Sequence, residues 1–160
     1  MILLWIELNG WMAKLRFSAC HLIPYHQKCG RLHGHTYAVS VKIHGERSDE
    51  FILDFELLKE LIAEICGSLD HRVVIARNDP RIKIRTEDDG VIVDIGEKNY
   101  RFPADDVVFV PTDSTSAESL CEYVASRIAS QMGSNVSQIE VRIDEGIGQG
   151  AGCVLDLEAA

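Results

Sequence analysis

The clearest pattern in the chain is the alternation of apolar and polar side chains along residues 35–45, where Tyr37 and Ile43 fall on the same face. Residues 14–21 alternate less regularly. Because successive side chains of a strand point to opposite faces, both segments are predicted to be β-strands. Residues 22–34 between them contain proline and glycine, so we expect a loop there.

Two helices are predicted farther along the chain. In residues 54–69, apolar side chains recur at helical spacing, and Asp54 is in position to cap the first turn. A second helix is predicted to begin near Ser114–Ser116, where Thr115 and Glu118 have the spacing of a capping box, and to end near Met132.

The remaining apolar runs are short and predict strands. Residues 82–102 contain two such runs around a turn at residues 88–90, which indicates a hairpin inserted between the helices. Residues 138–144 and 151–157 alternate and predict two final strands joined by a glycine-rich turn. The order β-β-α-hairpin-α-β-β predicts a two-layer α+β fold.

Length and composition predict one domain over residues 13–160, preceded by residues 1–12 as either a leader or an added N-terminal strand. The net charge of −9 argues against a general nucleic-acid binder, because neutralising phosphates requires lysine and arginine. The five cysteines are odd in number and scattered, which predicts free thiols and a cytoplasmic location. The chain contains no apolar run long enough to predict a membrane span.

Three histidines predict a metal site. His33 and His35 are two positions apart on a predicted strand, so both imidazoles point to one face, and His21 ends the preceding strand. Three imidazoles with an open fourth position are typical of catalytic zinc. Two of the other three histidines, His26 and His44, are interpreted as a loop residue and a solvated strand-end residue.

Acid–base chemistry is predicted for Cys29, which lies four residues before His33. A thiol near a metal and an imidazole has a lowered pKa and can take a proton. Asp70 and His71 are adjacent, and such a pair can orient a relay with a cysteine. They could equally bind the last carbonyl groups of the first helix.

Glu145 follows a predicted strand, where its carboxylate could accept two N–H groups from a planar ring such as guanine or pterin, or could simply be solvated. The nearest cationic side chains to these motifs are those of Lys28, Arg31 and Arg72. They could contact substrate phosphates, or they could be solvated loop charges.

These motifs together resemble the 6-pyruvoyl- and 6-carboxy-tetrahydropterin synthase family. The matching stretches are Phe17-Ser18-Ala19-Cys20-His21, Cys29-x3-His33-Gly34-His35-x-Tyr37, Asp54-Phe55-x2-Leu58-Lys59, Leu69-Asp70-His71, Thr115-Ser116-Ala117-Glu118 and the strand ending in Glu145. They extend from about residue 13 to 157, and the Cys-x3-His-Gly-His form is closer to the 6-carboxy enzymes.

The resemblance implies the tunnelling fold, with a four-stranded antiparallel sheet, two helices on one face and an extra hairpin between the helices. It implies trimers or hexamers with active sites between subunits. His21, His33 and His35 are the implied zinc ligands. Cys29, Asp70 and His71 are the implied catalytic residues, and Glu145 and Ser116 the implied substrate-binding residues.

The implied reaction converts 7,8-dihydroneopterin triphosphate to 6-carboxy-5,6,7,8-tetrahydropterin, a precursor of deazapurine bases. Formation of 6-pyruvoyl-tetrahydropterin, other pterin chemistry on the same fold, and non-catalytic binding of a metal or purine-like ligand remain alternatives. The sequence departs from the family pattern at Cys20, in the insertion at residues 81–103, and in the glycine-rich segment after Glu145.

Overall fold

A long strand organises the larger sheet of the computed structural model, which describes residues 1–157. The strands are β1 (Leu4–Leu8), β2 (Arg16–His21), β3 (His33–Gly45), β4 (Arg72–Ala76), β5 (Lys83–Glu87), β6 (Gly90–Ile95), β7 (Lys98–Pro103), β8 (Val107–Val110), β9 (Val136–Glu145) and β10 (Gly150–Asp156). The helices are α1 (Phe55–Leu69) and α2 (Ala117–Ala129), with a short 3-10 turn at Ala104–Asp106.

The larger sheet has the strand order β10-β9-β3-β2-β4-β8. Strand β1 also pairs with β3, so β1 and β2 lie end to end along one edge of β3. Leu8 is opposite Val41 in the β1 pairing, and Arg16 is opposite Ala38 in the β2 pairing. Strand β3 is thereby paired along both edges, which fixes its register.

Both helices pack against one face of this sheet and form the main core. Leu58 and Ile62 of α1, together with Leu120 of α2, are completely buried against Val39 and Ile143 of the sheet. Burying an aliphatic side chain of this size contributes about 1.5–3 kcal/mol. The predicted α+β fold with two helices is therefore observed.

The predicted sheet was too simple. The larger sheet has seven strands, and β2 pairs with β4, and β4 with β8, in parallel. In place of the predicted hairpin at residues 82–102, strands β5, β6 and β7 form a separate three-stranded antiparallel sheet, hereafter the inserted sheet. Its apolar face packs in a second core that contains Ile75, Val93 and Ile95.

The helix caps explain where the two helices begin. The Asp54 carboxylate accepts the backbone N–H of Glu56 at 2.7 Å, as predicted for α1. At α2 the cap is Ser116, whose hydroxyl accepts the N–H of Ser119 at 3.2 Å. The helix therefore begins within the predicted range, but Thr115 is not its cap, because the Thr115 hydroxyl donates to the carbonyl of Leu22 instead.

Neither helix in residues 1–157 has the length and apolarity needed to cross a membrane. All five cysteines lie within this range and are free. Residues 158–160, the end of the predicted domain, lie outside the described residues.

Candidate metal centre and active site

The pairing of β2 with β3 brings the three predicted ligands together. His21 is directly opposite His33, and His35 is the next residue of β3 on the same face. One ligand nitrogen from each imidazole lies within 4.8 Å of the other two. The spacing along the sequence therefore becomes a cluster at the end of the sheet, on the face covered by the helices.

Backbone carbonyls fix the orientation of two of these imidazoles. His21 Nδ1 lies 2.8 Å from the carbonyl oxygen of Thr115, and His33 Nδ1 lies 2.6 Å from that of Arg31. A carbonyl can only accept, so each Nδ1 carries the proton and each Nε2 presents a lone pair. This is the arrangement that orients histidines as metal ligands.

The cluster has the properties of a cation site. In the part of the chain that the structure describes, Nε2 of His21 and Nε2 of His35 are buried without a hydrogen-bond partner. Buried polar atoms are normally satisfied, so nitrogens that lie close together without partners form a group that could hold a metal ion. Because the donors are all imidazole nitrogens, they suit a transition metal.

The electrostatics keep His21 neutral. Its side chain is only 3% exposed. Burial lowers its pKa to about 4, and the nearby His33 and His35 also lower it, while the hydrogen bond to the Thr115 carbonyl opposes the shift. At neutral pH the imidazole is therefore unprotonated and able to bind a metal.

Tyr37 and Glu145 adjoin the cluster and are directly opposite each other in the β3–β9 pairing. A Glu145 carboxylate oxygen lies 3.6 Å from His35 Nε2. The Tyr37 hydroxyl is buried without a partner among the described residues. Burial, and then the charge of Glu145, raise its pKa well above the usual range, so the phenol stays neutral and able to donate.

A cleft of about 220 Å³ opens beside the histidines. It is lined by His21, His33, Cys29, Ser116 and Glu145, so five predicted site residues meet there. The Cys29 side chain is partly buried. The hydroxyl of Ser116 accepts a hydrogen bond at the start of α2, as described above.

The other two predicted catalytic residues lie in a different place. One carboxylate oxygen of Asp70 accepts the N–H of Ser18 at 2.8 Å, and the other lies 2.9 Å from His71 Nδ1. The bond from Ser18, with the pairing to His71, lowers the pKa of Asp70. The His71 side chain is 82% exposed.

His71 lines a second cleft with Cys20, Gly34, Thr36 and Arg72. Along β3, Gly34 and Thr36 alternate with His33 and His35, so this cleft and the histidine cluster use opposite faces of the strand. Within one subunit, Asp70 and His71 are therefore not brought to the cleft that contains Cys29.

Two other predicted roles are refined by the structure. His26 is a loop residue as predicted, and its Nδ1 accepts the backbone N–H groups of Lys28 and Cys29 at 3.2 and 3.0 Å. His44 is not simply solvated, because its side chain is partly buried and paired with Glu140.

Sequence reasoning missed two contributors to the site. The Thr115 carbonyl left no signal because any residue supplies that group. Tyr37 was assigned only to the apolar face of β3, and its position two residues after His35 places it on that same face, beside the histidines.

Fold and site together define a two-layer α+β protein with a three-histidine cluster that could hold a metal ion at the end of its main sheet. The family model described as 6-pyruvoyl tetrahydropterin synthase matches residues 12–154. The chain belongs to this family, a family of enzymes, and the predicted resemblance is confirmed.

Archaeal relatives cover most of the chain. A protein of Methanocaldococcus jannaschii is 41% identical over 152 residues, which span 91% of this chain and 93% of the relative. One of Pyrococcus horikoshii is 38% identical over 132 residues, 81% of this chain and 79% of the relative. Both are named as proposed 6-carboxy-5,6,7,8-tetrahydropterin synthases.

Solved structures agree with the fold. The 6-pyruvoyltetrahydropterin synthase of Plasmodium vivax superposes with a TM-score of 0.89 over 98% of this chain and 100% of its own, at 23% identity. The Plasmodium falciparum enzyme has a TM-score of 0.88 at 24% identity, over 97% of this chain and 99% of its own.

Proposed function

We propose that this chain is a zinc-dependent 6-carboxy-5,6,7,8-tetrahydropterin synthase that acts on 7,8-dihydroneopterin triphosphate. The observation that carries the proposal is the convergence of His21, His33 and His35 beside a cleft that also holds Cys29 and Glu145. The names of the archaeal relatives support the 6-carboxy product over other pterin products.

Zinc is the proposed metal because three neutral imidazoles with space for a further ligand form its usual catalytic site. When bound, zinc would supply Lewis acidity that polarises the hydroxyl groups of the substrate side chain. His21 and His33 would hold it through the Nε2 atoms that their backbone hydrogen bonds leave free.

The cleft residues are proposed to bind and orient the substrate. The Glu145 carboxylate would accept N–H groups from the pterin ring. The neutral Tyr37 hydroxyl would donate a hydrogen bond to the substrate, because it has no hydrogen-bond partner among residues 1–157. Ser116 at the start of α2 would contact the substrate at the rim of the cleft. Cys29 would take a proton from the side-chain carbon next to a hydroxyl.

The proposed relay is completed across a subunit boundary. Cys29 lines one cleft, and His71, which is paired with Asp70, lines another on the opposite face of β3. We therefore propose a homo-oligomer, a trimer or hexamer, in which Cys29 meets Asp70 and His71 of the partner subunit. Asp70 keeps the imidazole oriented, and the imidazole exchanges the proton with the thiol.

A cytoplasmic enzyme supplying a deazapurine precursor is consistent with five free cysteines. Non-catalytic metal binding would leave the position of Cys29 in the cleft without a role.

Product analysis tests the proposal. The purified, zinc-loaded protein is incubated with 7,8-dihydroneopterin triphosphate, and products are identified by mass spectrometry. We expect 6-carboxy-5,6,7,8-tetrahydropterin, with acetaldehyde detected in parallel, and much slower formation of both by Cys29→Ala. Accumulation of 6-pyruvoyl-tetrahydropterin would show that the chain catalyses that reaction instead. If the substrate is not converted, the proposal that the chain acts on it is refuted.

A further inference from the structure

The loop that connects the metal ligands His21 and His33, residues 22–32, carries Cys29 and is here called the Cys29 loop. Its apolar side chains Leu22, Pro24 and Leu32 line a small apolar space. The opposite wall of that space comes from the inserted sheet, through residues Val93, Ile95, Tyr100 and Phe102. The loop therefore rests on the inserted sheet.

Two cationic side chains attach the Cys29 loop to the region of this sheet. Lys98 Nζ, at the start of β7, donates to the carbonyl oxygen of Gly30 at 3.3 Å. Arg81, just before β5, donates to the carbonyl oxygen of Pro24 at 3.5 Å. Arg81 is itself held by two 2.8 Å hydrogen bonds to the buried Asp79 carboxylate.

The Cys29 loop also has internal hydrogen bonds that make it a compact unit. The N–H of Ile23 donates to the carbonyl of Cys29 at 2.7 Å, and the N–H of Gly30 donates to that of His26 at 3.0 Å. A Cβ atom at Gly30 would collide with the His26 carbonyl, so the chain is closely packed there. An anchor at Gly30 is therefore transmitted to the adjacent Cys29.

We propose that Lys98 is a positioning residue, and that the inserted sheet holds Cys29 at the distance from the metal-binding histidines that catalysis requires. The proposal rests on the proposed function of Cys29 as the proton acceptor. Lys98 acts on the backbone of the residue that follows the thiol and does not contact the substrate. Small displacements of a catalytic group lower turnover strongly, so a single anchor has a measurable effect.

Three variants test the proposal in the zinc-loaded, full-length protein. Lys98→Ala removes the anchor, Lys98→Arg retains a cationic donor, and Lys83→Ala alters another exposed lysine of the inserted sheet. Alkylation of Cys29 by iodoacetamide is followed by peptide mass spectrometry. Amide hydrogen exchange is measured over the Cys29 loop, and kcat, KM and zinc content are determined in parallel.

For Lys98→Ala, we expect alkylation of Cys29 and amide exchange in the loop to rise about tenfold, because a hydrogen bond from a charged donor is lost. The kcat should fall by a similar factor, on the order of tenfold, with KM and zinc content nearly unchanged. Lys98→Arg should recover most of each effect, and Lys83→Ala should match the wild type.

The proposal would be overturned if Cys29 alkylation and amide exchange in Lys98→Ala had the same rates as in the wild type. It would also be overturned if Lys83→Ala changed these rates as much as Lys98→Ala does. A changed loop with unchanged kcat would also overturn it, because Cys29 would then not depend on this anchor. If the wild-type protein does not convert the pterin substrate, the proposed function fails. The alkylation and exchange results would still decide whether Lys98 anchors the loop.

Discussion

The two halves of the proposed site differ in how far one subunit completes them. In the histidine cluster His21 is buried and the other two histidines are partly buried, and hydrogen bonds to backbone carbonyls orient His21 and His33. The Asp70–His71 pair is exposed, and His71 lines a cleft on the opposite face of β3. Folding of one subunit therefore brings together the candidate metal ligands, whereas the proposed acid–base site also requires association with a second subunit.

Local structure explains this difference. The histidines lie where β2 and β3 are paired residue by residue, so strand register fixes them. His71 follows the end of α1 in a left-handed conformation with φ of 58°. Its exposed side chain is available to a partner.

The largest effect is expected from removal of the proposed metal ligands, which tests the half of the site that one subunit completes. The double variant His33→Ala/His35→Ala should bind less than about a tenth of the wild-type zinc, because one imidazole cannot hold the ion. Metal analysis by mass spectrometry provides the measurement, and the single variant His33→Ala should already lose most of the zinc. His44→Ala, on the same strand, is the control and should retain it. If the double variant retains all of its zinc, these histidines are not the metal site.

Next in size is the separation of metal binding from catalysis. Cys29→Ala should retain zinc while kcat falls about 10²- to 10⁴-fold, the usual contribution of a general base. Zinc content and turnover are measured on the same preparation, with Cys153→Ser as the control thiol. Loss of zinc from Cys29→Ala would instead make Cys29 a ligand and the site structural.

Subunit mixing tests whether the acid–base site is shared. Cys29→Ala and His71→Ala should each be inactive, and refolding them together should restore about a quarter of the wild-type activity, since each half of a shared site has an even chance of being intact. Activity is measured after native mass spectrometry has shown mixed oligomers. Mixed oligomers without activity would place the relay elsewhere.

A smaller effect concerns the stability of the metal-free protein. The pKa of His21 is lowered to about 4, so the unfolded state binds a proton that the folded state excludes. The free energy of unfolding should therefore be highest above pH ~6.5 and fall by about 3 kcal/mol as the pH decreases to ~4. Urea unfolding of wild type and His21→Asn measures the difference in slope. Parallel pH profiles would contradict the prediction.

The smallest effect is expected on KM, when arginines that could contact the substrate phosphates are replaced. Since the protein carries a net charge of −9, a triphosphate must be met by local cations. Arg31→Gln and Arg72→Gln should raise KM for the triphosphate by about tenfold or less. KM for an unphosphorylated analogue should not change. Arg85→Gln, on the inserted sheet, is the control, and equal losses on both substrates would exclude phosphate contact.

Local patterns were sufficient to predict part of the molecule. The apolar spacing and Asp54 cap of α1 are encoded within a few residues, and the observed helix, Phe55–Leu69, agrees with the prediction. The three metal ligands also followed from strand alternation, because His33 and His35 share a face and His21 ends the neighbouring strand.

Other parts depend on contacts that local patterns do not encode. Strands β4 and β8 are short, mostly apolar runs, and such runs have no periodicity that distinguishes a buried strand from other buried segments. Their parallel pairing joins segments far apart in the chain. Likewise, the sequence does not indicate that the proposed relay is shared between two subunits. That proposal depends on the positions of the two clefts on opposite faces of β3.

The alternation along β3 constrains how this chain can change in length. His33 and His35 face the helices, while Gly34 and Thr36 line the other cleft. Inserting or deleting one residue between His35 and the paired core of the strand would turn both ligands to the opposite face. The turn at residues 88–89, between β5 and β6 of the inserted sheet, has no such requirement. We therefore expect homologous chains to differ in length at that turn, whereas the first half of β3 should have the same number of residues in all of them.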